Sequence, residues 1–196
     1  MKNKNLIAFD LDGVLIDIIT PIKRLLIKFH GIELNDDDPK YNQFDLCGPT
    51  GLTPKELWKI FRLTYKQIKD TPICLGATEL LSKLYEKTNE PPMILTSRPL
   101  DVANETDAVV KHMLKKVPFT LILKHPALHK YHYLNHHYLF YVEDRRRTAL
   151  YLGKKGITIP LVKRNYNIIS NIDKYPNIYY IDGIYELIPH INDFIL

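Results

Sequence analysis

Two aspartates separated by one residue, in the run Asp10-Leu11-Asp12-Gly13-Val14, are the residues of this chain best suited to chemistry. They follow Leu6-Ile7-Ala8-Phe9, a short apolar run that reads as a strand buried on both faces. Side chains two apart in an extended segment point the same way, so both carboxylates can face one site. Such a pair repels itself unless a cation or a shared proton compensates. Gly13 lets the backbone leave the strand through conformations that other residues resist. The competing reading is an ordinary Asp/Gly turn at a strand end. Two further runs have the same shape. Met93-Ile94-Leu95 stops at Thr96-Ser97-Arg98-Pro99, and Leu139-Phe140-Tyr141-Val142 stops at Glu143-Asp144-Arg145. In open α/β sheets, ligands bind just beyond the carboxyl ends of the strands.

The elements that must position these residues alternate along the chain. Phe119–Leu123, Ile157–Val162 and Ile178–Ile181 are shorter strand candidates. Gly76–Thr88 and Asp101–Lys115 carry helical periodicity, the second with Asp101 as its N-cap, and Ile184–Phe194 reads as a closing helix broken near Pro189. Strands alternating with helices imply crossover units, and hence an α/β fold with a Rossmann-like, mainly parallel sheet flanked by helices. Residues 17–73 do not fit that rhythm. They hold two helical patterns, one opening at Thr20-Pro21 and one at Thr53-Pro54-Lys55-Glu56, where a capping box is expected. The polar link Asn35-Asp36-Asp37-Asp38-Pro39 lies between them. The expected division is a core of 1–16 and 74–196, with 17–73 inserted as a small helical domain.

The chain has 196 residues, 45% hydrophobic and 25% charged, which excludes collagen-like and broadly disordered classes. Two cysteines make no disulfide framework and suit a reducing compartment. Three aspartates interrupt the apolar N-terminal segment, so it reads as neither a leader nor a membrane span, and the expected location is cytoplasmic, away from the membrane. A formal net charge of +5 favours anionic partners without demonstrating nucleic-acid binding.

Asp10-Leu-Asp12-Gly13-Val14 resembles motif I of the haloacid dehalogenase (HAD) superfamily of phosphohydrolases. Ile94-Leu-Thr96-Ser-Arg98 is similar to its motif II, and Tyr141-Val-Glu143-Asp144 to its motif IV, in the family's order. A helical insertion after the first strand matches the position of a C1-type cap. Within the family, the run Gly76-Ala-x-Glu-Leu-Leu81 and Thr96-Ser-Arg-Pro99 resemble 5'(3')-deoxyribonucleotidase-like proteins. The resemblance implies Mg²⁺-dependent phosphomonoester hydrolysis through an aspartyl-phosphate, on a nucleotide or another small phosphomonoester. Asp10 would be the nucleophile and Asp12 the acid and base. Mg²⁺, which prefers oxygen ligands, would take the Asp10 carboxylate, the Asp12 main-chain carbonyl and Asp144, with Glu143 acting through water. Glu143 departs from the Asp that is more usual there. Thr96 would donate to a phosphate oxygen, with Gly13, Ser97 and Arg98 as further substrate contacts. The family's phosphate-neutralising lysine would be Lys130 or Lys124; Lys130 is taken first because it opens a helical stretch, and Lys124 is kept as a substrate contact. A polynucleotide end is the alternative substrate. Phosphotransfer or mutase chemistry, and a non-enzymatic phosphate- or nucleic-acid-binding module, are the alternative functions.

Other residue groups are read as structural. His125, His129, His132, His136 and His137 crowd one segment with no matching cysteines nearby, so a zinc site would need ligands from elsewhere, and His129, His132 and His136 read as an exposed helix face. Of Arg145, Arg146 and Arg147, two read as surface residues, while one is left for substrate or Glu143. In the insertion, Phe61 and Tyr65 share the apolar stripe of Leu57 and Ile68, whereas Phe44 and Trp58, with Tyr41, are more open candidates for a roof over a ring-shaped ligand. Cys47 and Cys74 have no activating neighbourhood in sequence.

Overall fold

The computed structural model describes residues 7–35, 46–67, 69–134 and 138–195. Asp36–Pro39 of the polar link, Tyr41, Phe44, Ile68, His136 and His137 lie outside the described residues. The described residues form six strands: β1 (Ile7–Phe9), β2 (Met93–Thr96), β3 (Thr120–Leu123), β4 (Phe140–Val142), β5 (Ile159–Val162) and β6 (Ile178–Ile181). The helices are α1 (Ile19–His30), α2 (Cys47–Thr50), α3 (Pro54–Tyr65), α4 (Ala77–Thr88), α5 (Ala103–Leu114), α6 (Tyr131–Leu134) and α7 (Arg146–Gly153).

All strand pairs are parallel. One sheet has the order β3-β2-β1-β4, and β5 pairs with β6 beside it. Bridges at Phe140–Thr158 and Glu143–Leu161 join β4 to β5, so the order continues as β3-β2-β1-β4-β5-β6. The interruption between β4 and β5 has a chemical cause. Thr158 and Val162 donate their N–H groups to Leu139 and Glu143, but Pro160 stands at the position between and has no N–H to give. The chain runs outward from β1 to β2 and β3, then returns past β1 to β4. The crevice at the carboxyl ends of β1 and β4 is therefore a topological switch point.

Alternation along β1 explains burial on both faces. Ile7 and Phe9 join an apolar cluster with α4, α5 and the C-terminal turns, while Ala8 faces the opposite cluster with Leu95, Tyr141, Ala149 and Leu152. The segment between β1 and β2 has a third cluster. Ile22, Leu25 and Leu26 of α1 pack with Leu57, Ile60 and Tyr65 of α3. Burying each such side chain contributes about 1.5–3 kcal/mol relative to exposure. The capping box at α3 forms: Thr53 Oγ1 accepts from the Glu56 N–H, and the Glu56 carboxylate accepts from the Thr53 N–H. At α1 the Asp17 carboxylate accepts the N–H groups of Ile19 and Thr20.

Two sequence expectations change. Asp101 is not an N-cap, because a 3₁₀ turn at Leu100–Val102 precedes α5; its carboxylate instead pairs with Arg62 of α3 at 2.6 Å. Ile184–Phe194 is not a helix but two 3₁₀ turns, Ile184–Leu187 and Ile191–Phe194, separated around Pro189, which cannot donate to a helical ladder. Among the described residues no helix is long and apolar enough to cross a membrane.

Candidate active site

Asp10 directly follows β1 and extends its pairing by donating its N–H to Val142 O at 2.9 Å. One carboxylate oxygen, Oδ1, accepts the Leu11 N–H at 2.8 Å; the other accepts from Lys130 Nζ at 2.6 Å. The same ammonium donates to Glu143 Oε2 at 3.1 Å. Lys130 is buried, and its Nζ lies 5.1 Å from the centre of the Tyr141 ring, whose hydroxyl is bonded to Leu95 O. Glu143 is wholly buried at the end of β4, and its Oε1 accepts the N–H groups of Asp144 and Arg145 where the chain turns into α7. A carboxylate there offsets the positive helix N-terminus, to which three consecutive arginines add further positive charge.

Asp144 completes the acidic group. Its Oδ2 accepts from the Tyr166 hydroxyl at 2.5 Å, and its carbonyl accepts from the Asn167 amide at 2.7 Å. The Asn167 amide also donates to Val162 O, so the end of β5 braces the end of β4. Gly13 makes the approach possible. It has φ of 79°, and a Cβ at this position would lie 2.1 Å from Asp144 Oδ2. Its carbonyl accepts from Arg164 at 3.1 Å, and the glycine faces a neighbouring groove, outside the cavity described below.

Asp10, Glu143 and Asp144 each offer an oxygen within 4.8 Å of the others. Burial raises the Asp10 carboxyl to about 8, with the neighbouring Glu143 charge adding to the effect and Lys130 opposing it. Burial and the Asp10 charge raise Asp144 to about 6. Burial disfavours the charged form of Lys130, yet the charges of Asp10 and Glu143 outweigh it and hold the ammonium above its ordinary value. Ionised together, the three buried carboxyl groups would outnumber the one ammonium and leave an excess of negative charge, which is why burial holds protons on Asp10 and Asp144. Oxygen donors with that imbalance fit a hard divalent cation such as Mg²⁺.

Asp12, the second aspartate of the pair, is held differently. Arg98 Nε donates to Asp12 Oδ2 at 2.9 Å, and a terminal nitrogen of the same guanidinium donates to Oδ1 at 2.7 Å. The guanidinium lies 4.4 Å from the centre of the Tyr65 ring on α3. Arg98, expected as a substrate contact, is buried, braces Asp12 and lines the cavity described below. Thr96, at the end of β2, accepts the Arg98 N–H on its hydroxyl oxygen.

A cavity of about 370 Å³ opens over these groups. Asp10, Asp12, Thr96, Ser97 and Asp144 line its polar end, and residues of α2 and α3 line its roof. Lys124 is not among them. Its ammonium donates to the carbonyls of His125, Pro126 and Leu128, closing the loop that leads to Lys130. His129 stacks on Tyr151 at 4.7 Å and is not a member of the candidate metal-holding group found among the described residues. Burial raises the Cys74 thiol to about 11, which leaves it inert. Sequence reasoning missed Tyr166 and Asn167. The available signal was their place just beyond the strand Ile159–Val162, at the same sheet edge as the other site residues.

No family model and no curated protein sequence matches this chain. Solved structures do. A hydrolase of the haloacid dehalogenase-like family from Streptococcus pneumoniae is 19% identical over 89% of this chain and 91% of its own, with a TM-score of 0.59. A predicted phosphatase from Clostridium acetobutylicum is 16% identical over 96% and 98%, with a TM-score of 0.62. A dehalogenase solved with an intermediate complex is 15% identical over 97% and 98%, at 0.63. At these identities the likeness is one of fold, and the fold is HAD-like.

Proposed function

We propose that this chain is a HAD-type enzyme that hydrolyses a phosphomonoester, with α1–α3 acting as a small cap over the site. The observation that carries the reading is the buried group of Asp10, Lys130, Glu143 and Asp144 at the switch point of the sheet. The fold alone does not choose among phosphatase, mutase and dehalogenase chemistry, since its neighbours carry such different names. Asp12 favours phosphorus chemistry, because a carboxylate beside the nucleophile can handle the protons of an oxygen leaving group and of water.

In this reading an Asp10 oxygen attacks phosphorus and the ester P–O bond breaks. The departing alkoxide takes a proton from Asp12, which leaves an aspartyl-phosphate. Water then attacks phosphorus, Asp12 takes its proton, and the Asp10–phosphorus bond breaks to release phosphate. Lys130 and the Leu11 N–H fix the attacking carboxylate. Thr96 and Ser97 lie at the end of the cavity where phosphate oxygens would sit. A Mg²⁺ ion held by Asp10 and Asp144, with Glu143 behind them, would supply charge neutralisation between carboxylate and phosphate. Nucleotides belong to the proposed substrate range on the sequence resemblance, together with other small phosphomonoesters.

The test is phosphate release from a panel of phosphomonoesters with Mg²⁺, with Asp10→Asn alongside. Turnover that needs Mg²⁺ and drops by on the order of 10³-fold or more in the variant is expected. Undiminished turnover in Asp10→Asn would remove the proposed nucleophile.

A further inference from the structure

The roof of the cavity carries an ordered strip of rings. Trp58, Phe61 and Tyr65 follow one another on one face of α3, with successive ring centroids 6.2 Å apart and planes tilted by 45° and 44°. The strip runs from the open end of the cavity toward the acid/base. Trp58 is 44% exposed, Tyr65 is 8% exposed, and Tyr65 rests on the guanidinium that holds Asp12. Ile18, Leu46 and Leu57 line the same space. Among the described lining residues, the acidic groups, the hydroxyls of Thr96, Ser97 and Tyr166, and Arg98 and Arg145 accompany the phosphate end, while the α2 and α3 walls are mostly carbon, with the Cys47 thiol, the Trp58 indole N–H and the Tyr65 hydroxyl as their polar groups.

We infer that the alcohol half of the substrate carries a flat aromatic ring, which seats against Trp58 and Phe61 while its phosphate meets Asp10. The inference rests on the phosphomonoester reading for its chemistry and on the ring strip for its selectivity. Against the faces of Trp58 and Phe61 a polyol would lose its water without gaining directed hydrogen bonds, so sugar and glycerol phosphates are disfavoured at that seat. A ring gains contact area and stacking without needing directed hydrogen bonds. Two sources supply such a ring: a nucleobase and an aryl group.

Matched pairs of primary-alcohol esters separate the ring from leaving-group acidity. Thymidine 5'-phosphate is compared with 2-deoxyribose 5-phosphate, and 2-phenylethyl phosphate with ethyl phosphate. The ring-bearing member of at least one pair is expected to show kcat/KM higher by about tenfold or more. The pair that responds identifies the source. Trp58→Ala brings that ratio down to about threefold or less, and Trp58→Phe keeps most of it, because an aromatic face remains. A wild-type ratio near one in both pairs, or a ratio untouched by Trp58→Ala, overturns the inference. If no ester is hydrolysed, the hydrolase reading fails while the ring seat stays testable. Trp58 is the single tryptophan of the chain, so its fluorescence reports the seat directly. Benzylphosphonate is expected to shift or quench that emission at concentrations where methylphosphonate does not. Identical responses to both overturn the seat.

Discussion

Asp10 and Asp12 leave the same strand two residues apart, yet they belong to different parts of the molecule. Asp10 lies among groups fixed by the sheet: Lys130, the end of β4 and the backbone of Leu11. Its side chain is 7% exposed. Asp12 is 23% exposed and is held by Arg98, which in turn rests on Tyr65 of the helical insertion. In the proposed reaction the nucleophile is thus positioned by the core, and the acid/base through a side chain that the insertion touches. A site divided in this way would keep its attacking atom still while letting the roof influence the proton-handling group.

The largest expected effect tests the core-held half. Lys130→Met leaves Asp10 and Glu143 without their shared cation in a buried setting, and breaking such a pair costs about 3–5 kcal/mol. Urea unfolding of the Mg²⁺-free protein at neutral pH checks this. A loss of less than about 1 kcal/mol would mean that the ammonium is no more structural than a surface ion pair.

The insertion-linked half should respond in rate more than in stability. Arg98→Lys keeps a positive charge but loses the two-pronged hold on Asp12. A fall in kcat of about 10–100-fold with KM changed by less than about threefold is expected, since the lost interaction serves the acid/base. Tyr65→Leu removes the ring face under the guanidinium while keeping an apolar side chain in the α1–α3 cluster, and should cost severalfold in kcat. If Arg98→Lys instead raises KM at constant kcat, Arg98 contacts substrate and the contrast between the two aspartates dissolves.

The smallest effect concerns pH. Asp10 and Asp144 titrate higher in the folded protein, at about 8 and about 6, than the 3.8 of an unperturbed aspartate. As pH rises above that ordinary value, the unfolded chain gives up these protons before the folded one does. Metal-free stability should therefore fall from about pH 4 until these groups ionise in the folded state, near pH 6 for Asp144 and pH 8 for Asp10. The ammonium of Lys130, held above its ordinary value, contributes stability that is constant across this window and is lost only at higher pH. Mg²⁺ should raise the melting temperature more at pH 8 than at pH 5.5, and Asp10→Asn should flatten the pH dependence. An equal Mg²⁺ effect at both pH values would argue against ion binding by these carboxylates.

Much of the scaffold was legible locally. Apolar runs ending in polar residues marked β1, β2 and β4, because a strand buried on both faces has no other pattern available. The capping box at Thr53–Glu56 was legible because its partners are neighbours in sequence. Local pattern failed at Asp101, whose partner Arg62 comes from the insertion, and at the C-terminal segment, where packing accommodates two short turns around Pro189.

Residue type and order along the chain, together with the family resemblance they carry, singled out Asp10, Asp12, Thr96 and the Glu143–Asp144 pair, since each stands where a buried strand stops and a sheet edge must follow. They favoured Lys130 but did not decide between it and Lys124, two flexible cations six positions apart. Folding separated them: one ammonium closes its own loop, and the other is buried between two carboxylates. Nor could they show that Arg98 holds Asp12, or that Tyr166 and Asn167 brace Asp144. Those pairings join residues distant in sequence, and only the three-dimensional packing of the chain decides which charges meet.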